Sequence, residues 1–189
     1  MSRVIVFCGP SGVGKSTLIN RLKSEVVGTY EFCISHTTRK PREGEVNGRD
    51  YWFISRYDFL EKVDADLFVE YNDFAGNFYG TSRQSIDKVT ESGKICILDV
   101  DVNGVKNIHK SNILAKYIFV TSSDPKSIEE RLRNRNTESE EKIKLRIRKA
   151  FEELAFQNSK EGKKIFDFIL FNDDLDSAFK NLLEFTNSL

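Results

Sequence analysis

Long apolar runs are missing from this chain. No window approaches the roughly 18 apolar residues that a membrane-spanning helix needs, and no apolar targeting segment opens the sequence, so the protein is expected to stay in the cytoplasm, without membrane partners. Cysteine is scarce as well: Cys8, Cys33 and Cys96 are odd in number and lack any C-x-x-C or metal spacing, which argues against a disulfide framework. Two of them lie in apolar runs, and all three read as reduced, structural thiols. Nor is there an excess of one charge. Lys+Arg and Asp+Glu are both 29, so no net field steers the chain to nucleic acid or to an anionic membrane, and any basic function must be local. Internal repeats, low-complexity tracts and Pro/Ser-rich linkers are absent too, and 189 residues then read as one domain able to bury most of its apolar surface.

What is present starts at once. Gly9-Pro10-Ser11-Gly12-Val13-Gly14-Lys15-Ser16 satisfies G-x-x-x-x-G-K-[ST] directly after the apolar run Val4 to Cys8. Glycines at these positions let successive backbone N–H groups turn inward on a polyphosphate, Lys15 reaches the β/γ oxygens, and the Ser16 hydroxyl can ligate Mg²⁺. From Thr17 onward Leu18, Ile19, Leu22 and Val26 recur at helical spacing, so a helix N-terminus follows the loop and its dipole also favours phosphate. The runs 95–98, 117–120 and 168–171 are short, apolar and bounded by polar or turn residues, and amphipathic stretches separate them. That alternation predicts an α/β fold with a central parallel sheet. Ser55 opens a capping box for a helix through about Val63, Asp124-Pro125 an N-cap with proline at the first helical position, and Thr137 a second capping box for a long helix to about Asn158. Between the first strand and Ile95 lies an aromatic and polar stretch too long for a simple crossover, which reads as an inserted subdomain. The Lys- and Gly-rich segment 158–164 reads as a looser connection.

A phosphate loop alone does not separate hydrolysis from transfer. Asp101-Val102-Asn103-Gly104 matches the D-x-x-G of a GTPase switch, yet the chain contains no N-K-x-D, the guanine-specificity element of that class. Asp99, closing the apolar strand, suits either an acid near Mg²⁺ or a ligand of a second substrate. The inserted stretch is more specific. Ser35-His36-Thr37-Thr38-Arg39-Lys40-Pro41-Arg42-Glu43-Gly44-Glu45-Val46-Asn47-Gly48-Arg49-Asp50-Tyr51, with Phe53 after it, resembles the S-x-T-T-R-x-P-R-x-G-E-x-x-G-x-x-Y signature of guanylate kinases nearly position for position. The resemblance continues through 68–70, 76–81, 98–104, 131–135 and 172–174, and so covers essentially the whole chain.

The resemblance implies ATP-dependent phosphorylation of GMP, on a three-layer P-loop fold with a GMP-binding subdomain (35–94) and a helical lid (124–158) around a core of 1–34, 95–123 and 159–189. It implies ATP contacts from Gly9, Pro10, Ser11, Gly12, Val13, Gly14, Lys15, Ser16, Thr17 and Arg131. GMP falls to Ser35, Arg39, Arg42, Tyr51, Glu70, Tyr79, Thr81 and Asp99, and Mg²⁺ to Ser16, with Asp99 as a further candidate. The residue chemistry agrees: guanine presents N1 and N2 donors and an O6 acceptor, which suit carboxylates beside hydroxyls, while a monophosphate suits forked cations. Lys15, Arg39 and the lid arginines Arg135 and Arg146 are the expected catalytic groups; Arg148 is left without a role, and monomer and homo-oligomer both stay open. The other reading is a non-catalytic, guanylate-kinase-like interaction domain, against which stand the intact Lys15, Ser16, Arg39, Arg42, Glu70 and Asp99. His36 is expected to be structural and Trp52 core or rim. The chain departs from the family pattern at Asn103, where Gln is usual, and at Asn134 and Asn136, where the lid has glycines.

Overall fold

In the computed structural model, residues 3–74, 76–133 and 140–188 are described. Along the chain run β1 (Val4–Cys8), α1 (Lys15–Glu25), β2 (Tyr30–Phe32), β3 (His36–Thr37), β4 (Trp52–Phe53), α2 (Arg56–Asp64), β5 (Phe68–Phe74), β6 (Asn77–Ser82) and α3 (Arg83–Glu91). There follow β7 (Ile95–Asp99), α4 (Val102–Lys110), β8 (Ala115–Thr121), α5 (Pro125–Arg133), α6 (Glu140–Asn158), α7 (Gly162–Ile165), β9 (Phe168–Phe171) and α8 (Leu175–Asn187). Five strands form one all-parallel sheet in the order β2-β7-β1-β8-β9. Its strands are apolar on both faces because helices cover both. Val4, Val6 and Cys8 of β1 point into one core with Leu98, Val105, Ile108 and Phe119, while Ile5 and Phe7 point into the other with Leu18, Leu22, Ile97, Phe179 and Leu182.

The connection from β2 to β7 carries a second sheet of four strands, ordered β4-β3-β6-β5. Here β5 and β6 are antiparallel, with Glu70 opposite Thr81 and Asn72 opposite Tyr79. Gly80 is required where β6 crosses the aromatic floor of this unit, since a Cβ would come within 2.9 Å of Tyr71 and 3.0 Å of the Phe59 ring. The expected caps form: the Ser55 hydroxyl accepts from the Asp58 amide, and the Asp124 carboxylate from the Lys126 amide. The Thr137 box lies outside the described residues.

Two local features differ from the sequence reading. The strand β2 was not anticipated; three residues with Glu31 in the middle leave no periodicity to detect. Segment 158–164 is no loose linker: Gly162 starts α7, is buried, and sits so close to the preceding helix that a Cβ would lie 2.1 Å from the Phe156 carbonyl oxygen. The three cysteines are free and buried, as expected of structural thiols, and burial pushes the Cys8 thiol well up from its ordinary value. No helix among the described residues is long and apolar enough to cross a membrane.

Candidate active site

Ligand crevices of parallel α/β sheets open at the carboxyl ends of strands where the order reverses. Here β1 runs between β7 and β8, and the loop after β1 faces the end of β7, whose Asp99 is in register with Phe7. The chemistry of the P-loop and of Asp99 meets for this topological reason. Backbone geometry explains the glycines. Gly9 has φ 135 and lies so near β8 that a Cβ would be 2.1 Å from the Val120 carbonyl oxygen, whereas Gly14 has φ 96 and abuts the Asn172 amide. Asn172 braces the loop from behind, its Nδ2 donating to the Val13 carbonyl at 2.7 Å.

Lys15, the first residue of α1, donates from Nζ to the carbonyls of Gly9 (2.5 Å) and Pro10 (3.3 Å), with Asp99 at 3.9 Å. The ammonium is thus held at the mouth of the loop, where a phosphate oxygen would exchange for a carbonyl. Burial raises the Asp99 carboxyl and Lys15 opposes that rise. From the third wall of the cleft Arg146 of α6 donates to the Ser11 hydroxyl at 2.8 Å. Arg131 of α5 reaches the backbone oxygen of Asn172, both terminal nitrogens at 3.4 Å, on the far side of the loop brace.

Opposite the P-loop lies a buried acid. Glu70 is 7% exposed, accepts from the Thr81 hydroxyl at 2.6 Å, and Thr81 in turn lies 3.1 Å from the Ser35 hydroxyl. This chain exists because Glu70 and Thr81 are cross-strand partners. Burial drives the Glu70 carboxyl up to about 7, against the pull of the Thr81 bond. Tyr51 and Tyr79 meet edge to face, with centroids 6.0 Å apart, at the entrance to this end. Arg39 stacks near Tyr51 and Phe53, its guanidinium 5.3 and 5.7 Å from their ring centroids, and forks onto Glu45 at 2.8 and 2.9 Å. The Arg42 side chain is exposed and its amide donates to the same carboxylate at 2.7 Å. Arg39 therefore holds Glu45 down to about 2.

One open cleft of ≈ 440 Å³ joins these parts: Gly9, Ser11, Lys15, Ser16 and Thr17 line one side, Ser35, Tyr51, Glu70 and Tyr79 the other, and Asp99 and Asp101 lie between. Arg39, Arg42, Thr81 and Arg131 do not line it, and Arg135 lies outside the described residues, as do Asn134 and Asn136. Asn103 is exposed on the first turn of α4. Four polar lining groups escaped the sequence reading of the site: Asn72, Asp101, Lys149 and Glu153. Asp101 had been read only as part of D-x-x-G and of the resembling run 98–104, without a site role; it caps α4 by accepting from the Gly104 amide at 3.0 Å and is bonded by the Asn72 amide. Glu153 is pushed up to about 7 by burial, with Lys15 opposing and Asp101 reinforcing. The available signal was the spacing Arg146, Lys149, Glu153, three charges on one face of a long helix. A cleft with cations and loop amides on one side and a buried acceptor on the other suits a polyphosphate facing a second, polar-edged base.

Comparison with known proteins agrees over the full length. A family model described as guanylate kinase matches residues 1–189. The guanylate kinase of Sus scrofa is 44% identical over 182 residues, 96% of this chain and 90% of that protein. That of Prochlorococcus marinus is 39% identical over 185 residues, covering 98% of this chain and 97% of its own. The crystal structure of guanylate kinase from Anaplasma phagocytophilum matches the fold with a TM-score of 0.70 at 22% identity, over 98% of this chain and 85% of that one.

Proposed function

The chain belongs to the guanylate kinase family, and from that membership we propose how its residues divide the work of transferring the γ-phosphoryl of ATP to GMP. It is an ATP:GMP phosphotransferase of purine nucleotide metabolism, and the non-catalytic alternative is not favoured by relatives matched over nearly their whole length. The observation that carries the division is the pairing, in one cleft, of the P-loop with the buried Glu70–Thr81–Ser35 chain.

ATP phosphates are held by the backbone amides of Ser11 to Thr17 and by Lys15, which gives up its carbonyl partners to them, while Arg131 serves the base and ribose side. The GMP phosphate is chelated by Arg39 and Arg42 with help from Tyr51 and Tyr79; Glu45 keeps the Arg39 fork planar and oriented until a phosphate takes its place. Glu70 accepts from the guanine N1 and N2 edge, Ser35 supplies a hydroxyl to it with Thr81 bonded to both from behind, and Asp99 borders it. Arg135 and Arg146 belong to a lid, 124–158, closing on the second sheet, the GMP-binding subdomain.

Phosphoryl transfer asks little covalent help of a protein. An oxygen of the GMP phosphate attacks the γ-phosphorus in line, the bond to the β-bridging oxygen breaks, and ADP leaves. Positioning and charge neutralisation supply the acceleration. The hydroxyl of Ser16 and the carboxylate of Asp99, both hard oxygens in the cleft beside Lys15, fit Mg²⁺. When bound there the ion would neutralise β/γ-phosphate charge. A cytoplasmic location is part of this reading. A coupled assay for ADP formation tests it: GMP-dependent release is expected, and ADP formed at the same rate without GMP would refute it.

A further inference from the structure

Of the polar side chains in the cleft that the roles above leave unused, Asn72 sits beside the base-reading acid. Along β5, Glu70 and Asn72 are two residues apart, so they share a face of the strand, and both line the cleft. Asn72 is half-buried, and its side-chain Nδ2 donates to Oδ2 of Asp101. A carboxylate only accepts, so the amide must present its NH₂ to Asp101 and turn its carbonyl oxygen away. Asp101 cannot swing to follow, because its Oδ1 caps α4 through the Gly104 amide at 3.0 Å. Among the described residues that carbonyl oxygen of Asn72 accepts no hydrogen bond, and it is not a buried unpaired atom, the only such side-chain atom being Nδ1 of His36. It is an acceptor left free by the protein's own bonds, on a residue that lines the cleft.

We propose that Asn72 is a specificity-determining residue, its Oδ1 accepting from the exocyclic 2-amino group of guanine and so separating GMP from the purine monophosphate that lacks this amine. The inference rests on the assignment of the Glu70 end as the GMP site. A carboxylate facing the guanine edge takes N1–H and one amine hydrogen. The second amine hydrogen then needs another acceptor, and Asn72 is next on the same face. Each Asp101 oxygen already accepts from one protein donor, whereas the Asn72 carbonyl oxygen accepts from none among the described residues.

The test compares kcat/KM for GMP and for inosine monophosphate, which has the same base without the 2-amino group. The enzymes are the unmodified protein, Asn72→Ala, Asn72→Asp and Glu70→Gln, each checked for an intact melting transition. Losing one neutral hydrogen bond should lower the GMP value of Asn72→Ala on the order of five- to tenfold and leave the inosine value nearly unchanged. Asn72→Asp, assayed at alkaline pH where it does not share a proton with Asp101, keeps an acceptor but no longer donates to Asp101, so it should retain the preference for GMP. An equal fall for both nucleotides in Asn72→Ala, or no fall in either, overturns the proposal. So does a loss of preference in Asn72→Asp as large as in Asn72→Ala, which would mean that Asn72 acts only by holding Asp101. Glu70→Gln separates the two levels: if it leaves the GMP preference whole, the base site itself is misassigned, whereas a lowered preference there with unaffected Asn72 variants defeats this inference alone.

Discussion

Lys15 and Glu70 are opposite kinds of residue, one poised by neighbours and one by burial. Lys15 is already gathered into the loop by Gly9 and Pro10 carbonyls. Lys15→Met keeps most of the side chain's bulk and removes the charge that faces the transferring group, so turnover should drop by at least ~100-fold while the melting transition survives. Steady-state rates beside a thermal melt check this. Glu70 has its carboxyl raised to about 7 by burial. GMP, bringing N–H donors, binds the ionised form, so below pH 7 binding must first expel a proton and affinity should fall with acidification, approaching tenfold per unit. Calorimetric titration of GMP in two buffers of different ionisation enthalpy should show proton release near pH 6.5, absent in Glu70→Gln. On the proposed roles the same acid sets base choice: AMP would turn an acceptor toward it, and GMP should exceed AMP in kcat/KM by ~10⁴ or more.

At the scale of elements, α6 and the turn after β3 carry arginines to which the proposed roles give phosphate contacts at different moments. Arg146 projects from α6 to the Ser11 hydroxyl of the P-loop, so it is tied to the relation between helix and loop. Arg42 extends from the exposed turn organised by Glu45. Arg146→Ala should therefore lower kcat far more than it weakens GMP binding, because its contacts strengthen around the transferring phosphoryl, and Arg42→Ala should chiefly weaken GMP binding. Calorimetric GMP affinity set beside steady-state kcat for both variants is decisive. Equal loss of GMP affinity in the two, with kcat kept in Arg146→Ala, would move Arg146 to the acceptor site.

Over the whole molecule, stability should carry the mark of one histidine. His36 is 9% exposed among Trp52 and Phe68, with Nδ1 unpartnered, and burial first, then Lys62, lower it from 6.5 to about 4. The unfolded chain takes up this proton near pH 6.5 and the folded one only near 4, so the unfolded state is increasingly favoured as pH falls through that window. The loss grows down to about pH 4, and above pH 6.5 this residue adds no slope. Urea melts from pH 7.5 to 4 should show a shallower decline in His36→Phe than in the unmodified protein. Identical slopes would show that His36 is not held neutral.

What the sequence determined by itself was the chemistry that is local in the chain. The P-loop, the strands 4–8, 95–98, 117–120 and 168–171, the caps at Ser55 and Asp124, and the burial of three thiols were all legible, because each rests on spacing within a few residues or on continuous apolarity. The signature from Ser35 to Tyr51 carried the family in the same way. The tertiary structure decided what depends on pairing across the chain. Glu70 meets Thr81 only because β5 and β6 run antiparallel in that register, and Asp99 meets Lys15 only because β7 lies beside β1. Asn72, Asp101 and Glu153 became cleft residues only when β5, α4 and α6 were brought to one opening. A carboxylate or amide reads in sequence as a solvated surface group. Whether it is one depends on desolvation and partners, which are supplied by segments tens of residues away.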